Sequence, residues 1–92
     1  LGVDNIYNNR MIGLIDIRGK KDKVKIYEIL DGNSQRIIDL KNKTKSDFEY
    51  GVTLYSIGKY EDSIKQFEKI IKLDERDKCA LYYINKNEEE LK

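Results

Sequence analysis

The chain reads as an α+β protein: an N-terminal β-hairpin, then a short helix, then a unit of three helices. Three observations lead there. Residues 11–18 and 23–30 are rich in Ile, Val and Tyr and flank a turn signal over 19–22, the mark of two strands joined as a hairpin. From Ser46 onward the apolar residues switch to a helical period of about 3.6. The charge also divides. Residues 1–45 carry ten Lys and Arg against six Asp and Glu, whereas residues 46–92 carry eight against eleven. A chain of net charge +1 thus has a basic first half and an acidic second half, as expected of two modules.

The hairpin comes first. With Lys20 and Lys21 as a two-residue loop, Ile17 faces Val24 and Ile15 faces Ile26 on one side. Leu14 then faces Tyr27, Asp16 faces Lys25 and Arg18 faces Lys23 on the other. The last pair is repulsive, since like charges directly opposite destabilise a ladder. Five of the eight residues from 18 to 25 are basic. A lone two-stranded hairpin is marginal in water. Either residues 1–10 help it, or the rest of its sheet belongs to a longer protein. The initial Leu1 favours reading the chain as a piece of something longer.

The helices follow. Asp31-Gly32-Asn33 is a turn signal. Ser34 caps a short helix that reaches Leu40, and residues 41–45 (KNKTK) read as a basic connector. The first helix of the three-helix unit starts at Ser46, with Ser46 and Glu49 as a capping box and Thr44 as the competing cap. Phe48, Gly51, Val52 and Tyr55 form its apolar face, and Gly58 falls where a left-handed C-terminal cap is wanted. The second helix places Tyr60, Ile64, Phe67 and Ile71 on one face; the third, from about Asp77 to Leu91, places Leu81, Ile84 and Leu91 on one side. One of Tyr82 and Tyr83 should be exposed. Turns this short make consecutive helices antiparallel. The chain divides into 1–30 (hairpin), 31–45 (turn, short helix, linker) and 46–92 (helical unit).

Composition sets limits. Ninety-two residues bury about 60–65% of their unfolded surface, so the core is thin. No histidine is present, which removes His-based triads and His metal sites. A single cysteine, Cys79, allows no internal disulfide and points to a reducing compartment. No apolar run approaches the ~18 residues of a membrane span. The expected location is cytoplasmic, or the cytoplasmic side of a membrane-anchored parent.

The helical half carries a resemblance. "FEYGVTLYSIGKYEDSIKQFEKIIKLDERD" resembles one tetratricopeptide repeat of about 34 residues. Tyr50 and Gly51 stand at the motif's Leu-Gly pair; Leu54, Tyr55, Gly58 and Tyr60 match its aromatic and Gly positions, and Phe67 its second-helix aromatic. Ser63 replaces a small Ala, Glu75 replaces the usual proline, and Ile70, bulkier than the family's Ala, is expected to push the helix pair apart. The resemblance implies close helix approach at Gly51, Tyr60 filling the turn, and Phe67 packed into the first helix.

The hairpin carries another. "NNRMIGLIDIRGKKDKVKIYEILDG" resembles the end of the catalytic domain of class III adenylate/guanylate cyclases, a ferredoxin-like sheet that finishes roughly as R-x-L-G-x-V-x-V-K-G-K-x-x-P-V-x-I-Y-E-V. Arg10, Gly13, Ile17, Gly19, Lys20, Val24, Ile26, Tyr27 and Glu28 fit that pattern; Lys23-Val24 departs from its Pro-Val. The family's first lysine contacts the substrate triphosphate, and Arg18 occupies its position. The resemblance therefore implies substrate-phosphate contact by Arg18, with Lys20 beside it. Two like charges held across a hairpin make sense where a phosphate sits between them. The plainer reading, of lysines on a solvated edge strand that discourage aggregation, fits Lys21, Lys23 and Lys25.

What the resemblance implies for function is equally specific. The parent would convert ATP or GTP into cyclic nucleotide and pyrophosphate, using two Mg2+ or Mn2+ ions. It would act as a dimer, with the repeat as a protein-interaction or dimer-supporting tail. The metal-binding aspartates, the purine-selecting pair and the transition-state Asn and Arg of the family have no counterpart in residues 1–92. This segment is expected to hold no metal and to be catalytically silent by itself. The alternative is a stand-alone repeat-type interaction module with no enzymatic role. Nucleic-acid binding is not expected, because aromatic side chains for base stacking are not interleaved with the basic face, Tyr27 apart.

Overall fold

The computed structural model describes residues 8–15, 19, 21 and 23–92. Its elements run β1 (Asn9–Ile15), β2 (Val24–Ile29), α1 (Gln35–Ser56), α2 (Tyr60–Leu73) and α3 (Lys78–Glu90). The α+β class is as the sequence predicts: an antiparallel hairpin followed by helices.

The register differs from expectation. Asn9 pairs with Ile29, Arg10 with Glu28 and Met11 with Tyr27; beyond an irregularity at Ile12, Gly13 pairs with Ile26, Leu14 with Lys25 and Ile15 with Val24. Near the tip each β1 residue therefore meets a partner two positions earlier in β2 than the two-residue loop at Lys20-Lys21 requires. A shift of two keeps the side chains from Gly13 to Ile15 on their expected faces, whereas beyond the bulge the shift is three and turns Met11 to the opposite one. The ion pair between Arg10 and Glu28 holds the open end of the ladder, and the extra residue at Ile12 is a bulge that breaks the pairing there. Gly19 has φ +86, a conformation that favours glycine in the turn. The expected pairings of Asp16, Ile17 and Arg18 fall outside the described residues.

The connector does not exist as a connector. A single helix of 22 residues replaces the short helix, the linker and the first repeat helix. Ser34 caps it, accepting from the Ile37 N–H at 3.4 Å. Residues 41–45 contain no Gly or Pro, so nothing breaks the helix. Thr44, buried, satisfies its hydroxyl by donating to the Leu40 carbonyl at 3.0 Å. Neither Thr44 nor Ser46 is a cap. Glu49, cast as half of a capping box, accepts the Met11 backbone N–H at 2.8 Å and so closes β1 onto α1.

Gly58 has φ +83 and ends the α1–α2 corner as expected. At Gly51 a Cβ would lie 2.8 Å from Phe67 Cε2 and Cζ, so only glycine lets α2 approach this closely. Phe48 meets Phe67 edge-on at 5.0 Å, Tyr83 stacks on Phe67, also at 5.0 Å, and Phe48 and Tyr83 meet edge-on at 6.0 Å, so the three rings form one cluster. Met11, Val52, Ile70 and Ala80 complete this core. Ile70 is fully buried within it. On α3 the buried face is Ala80, Tyr83 and Asn87, with Ile84 packed at its margin. Leu81 and Leu91, expected to face inward, are 41% and 48% exposed. Asp77 is the N-cap of α3, accepting from the Ala80 N–H at 3.2 Å, and Ala80 and Tyr83 pack into the core with Phe67 of α2. Tyr82 is the exposed member of the tyrosine pair.

Candidate functional site

The chemistry of this molecule concentrates where the hairpin meets the helices. Arg10 is fully buried in β1. Its Nη1 donates to Asp77 Oδ2 at 2.6 Å, and its Nη2 donates to Asp77 Oδ1 at 3.2 Å and to Glu28 Oε1 at 3.0 Å. Glu28 is shared: its Oε2 accepts from Lys41 Nζ at 2.6 Å. The guanidinium carbon lies 3.8 Å from the centre of the Phe48 ring, a cation–π contact. Four charges, two of each sign, thus tie β1, β2, α1 and the start of α3 together. Burial alone would push the Arg10 guanidinium down, but the hydrogen bonds and charge of Asp77 and the charge of Glu28 outweigh it and hold its pKa above the ordinary value. Burial would likewise raise the Asp77 carboxyl, yet Arg10 and the Ala80 N–H hold it below the ordinary carboxylate value. The Arg10 Nε has no hydrogen-bond partner.

Three further contacts weld the hairpin to the helices. The Tyr83 hydroxyl donates to the Ile12 carbonyl at the bulge. Burial pushes the Tyr83 pKa up to about 12. Lys45 Nζ donates to Asn9 Oδ1 at 3.3 Å. Lys23, half-buried at the start of β2, donates from Nζ to the Ser56 carbonyl at 3.2 Å. Lys23 is therefore not a free edge lysine but a tether between the hairpin tip and the end of α1. Lys21 and Lys25 are exposed.

Arg18 and Lys20, the candidate phosphate contacts, lie outside the described residues. The repeat-motif residues are placed as follows. Gly51, Leu54, Ser63 and Phe67 are buried; Tyr55 and Tyr60 are half-buried with ring centroids 5.7 Å apart; Gly58 forms the corner; Tyr50 is 55% exposed. Ser63 donates to the Gly51 carbonyl at 2.7 Å and accepts from Asn87 Nδ2 at 3.0 Å, a polar bridge across all three helices. Among the described residues no three Cys, Asp or Glu side chains are placed to hold a metal ion. Also among these residues, no helix is long and apolar enough to cross a membrane.

Sequence reasoning missed the Arg10–Asp77–Glu28–Lys41 network. Arg10 and Glu28 were visible as a cross-strand pair only with the correct register, and Arg10 and Asp77 stand 67 residues apart.

Over 77 residues, 84% of its length, the chain is 30% identical to "Adenylate cyclase, terminal-differentiation specific" of Dictyostelium discoideum. The similarity is to a cyclase. This chain spans 4% of that protein's length. No family model matches the chain, and no solved structure matches it.

Proposed function

We propose that the chain is a segment of a class III nucleotide cyclase, the hairpin that ends its catalytic domain carried on a tetratricopeptide-type helical unit. The observation that carries this reading is the similarity to an adenylate cyclase across 77 residues, a stretch long enough to take in parts of both halves. The cyclase-like hairpin pattern agrees with it, with Arg10 and Glu28 joined across the ladder. The longer protein would form cyclic nucleotide and pyrophosphate from ATP or GTP. Arg18 and Lys20 at the hairpin tip would contact the triphosphate, while two Mg2+ or Mn2+ ions would be held by residues elsewhere in that protein. Charge-assisted bonds from arginine to phosphate are short and bidentate, which suits Arg18 to this role.

In this reading the described residues position rather than react. Lys23 fixes the base of the tip to the end of α1, and the buried Arg10 network fixes the whole hairpin to α1 and α3. The helical unit would then serve a protein partner or a second copy of the cyclase.

The test uses the full-length gene product. Its coding sequence should contain, upstream, a domain with two acidic metal ligands and an Asn-x-x-x-Arg helix. In a cyclase assay with Mn2+, Arg18→Gln should lower kcat/KM by about tenfold or more, the loss of one charge-assisted phosphate contact. An upstream region without that domain, or an active enzyme indifferent to Arg18→Gln, overturns the reading.

A further inference from the structure

Because α1 runs unbroken from Gln35, its first turns stand beside the α2–α3 corner and open a cleft that a flexible linker would not make. The floor is apolar: Ile37 and Leu40 of α1 and Cys79 of α3, all half-buried. The rim is cationic: Arg36 on one side, Arg76 and Lys78 on the other, all exposed. The cleft is half-open and about 490 Å³ in volume.

Two carboxylates share it, of which Glu28 is paired with cations and Asp74 is not, so three unpaired cations face one carboxylate. Glu28, at the back, accepts from Arg10 and from Lys41. Asp74 accepts the Arg76 backbone N–H at 3.2 Å. Arg36, Arg76 and Lys78 have no carboxylate within ion-pair distance among the described residues. Nor do they serve local stability. Arg36 lies in the first turn of α1 and Lys78 opens α3, and a cation in a first turn opposes the helix dipole. Unpaired cations in locally unfavourable places, gathered around an apolar floor, fit an external anion.

We propose that this cleft docks an acidic segment of a partner protein, one apolar side chain on the Ile37–Leu40–Cys79 floor and flanking carboxylates on Arg36, Arg76 and Lys78. The floor decides between ligands. An inorganic phosphate would leave it wet, and a nucleic acid would want aromatic platforms that the cleft lacks. A peptide with an apolar anchor between acids covers both parts. The proposal does not rest on the cyclase reading, because no nucleotide enters it.

The experiment measures fluorescence anisotropy of a labelled peptide, acetyl-ELEELE-amide, against the 92-residue chain, with acetyl-QLQQLQ-amide as the uncharged probe. Binding should be saturable below about 1 mM, and about tenfold weaker for the glutamine peptide. The double variant Arg36→Glu/Arg76→Glu, on exposed positions, should lose about tenfold or more while keeping the native circular dichroism. Leu40→Ala should lose about threefold through the floor. Equal binding of the two peptides, or no saturable binding, overturns the proposal. So does indifference to charge reversal. Displacement by inorganic phosphate beyond that by chloride at matched ionic strength would make this a simple anion site, and displacement by an RNA oligonucleotide would make it a nucleic-acid surface; either overturns the peptide assignment.

Discussion

The aromatic seam between the helices and the junction beneath the hairpin are both buried, yet they are closed by opposite kinds of contact. The seam is Phe48, Phe67 and Tyr83 against Gly51, where shape does the work. The junction is Arg10 held by Asp77 and Glu28, where paired charge does. An apolar seam degrades gradually as methylenes are removed. A buried ion pair behaves differently: removing one partner leaves the other charge uncompensated, whereas replacing both by apolar groups is often nearly neutral. The junction is thus a less forgiving region to change singly and a more forgiving one to change in pairs.

The largest expected effects break each region outright. Asp77→Ala should cost about 3–5 kcal/mol, because it removes two of the three hydrogen bonds of the buried Arg10 guanidinium, leaves it only Glu28, which Lys41 shares, and takes away the N-cap of α3. Phe67→Ala should cost a similar amount, about 3–5 kcal/mol, through the cavity it leaves. A domain of this size has a total stability of about 5–15 kcal/mol, so either variant approaches unfolding in a urea titration. The comparison sharpens with paired changes. Arg10→Met with Asp77→Asn, which keeps an N-cap, should lose clearly less than the sum of its single changes. Strict additivity in the same titrations would remove the distinction between the two regions.

Gly51→Ala comes next, at about 1–3 kcal/mol, since its Cβ would press on the Phe67 ring. An unchanged urea midpoint would mean that α1 and α2 can move apart freely. Tyr83→Phe is smaller, about 0.5–1.5 kcal/mol, for the hydrogen bond to Ile12. It should loosen the hairpin while sparing the helices, seen as faster amide exchange in β1 alone.

The pH dependence separates the two groups again. The Asp77 pKa is depressed in the fold, so its stabilisation is present above the unfolded value of about 3.9 and is lost as pH falls through the folded pKa. The Tyr83 pKa is raised to about 12, so its contribution is present below the unfolded value of about 10 and is lost as pH rises through the folded one. Urea midpoints across pH should therefore fall at both extremes. The acid arm should flatten in Arg10→Met/Asp77→Asn and the alkaline arm in Tyr83→Phe.

Much of the helical half was legible. Period and spacing placed α2 and the Gly58 corner, and the repeat resemblance implied a close helix approach at Gly51 and Phe67 packed into the first helix. The third helix was found, but its inner face was assigned to Leu81 and Leu91, because hydrophobicity alone does not reveal that Asn87 can be buried when Ser63 accepts from it. Lys41 and Lys45 were assigned to a connector because a run of polar residues looks the same in a loop and on a helix that reaches toward a hairpin. Of the candidate phosphate contacts, Arg18 and Lys20 were legible only as a motif, and the basic cleft at Arg36 and Arg76 was not legible at all.

By itself, the sequence determined the α+β class, the hairpin ahead of the helices, and where the backbone must turn at Gly58. These are near-neighbour or periodic effects, and they are written locally. Only the tertiary structure decided the hairpin register and the burial of Arg10 against Asp77. Each of those depends on groups far apart in the chain, whose attraction takes effect only once folding has excluded the water between them.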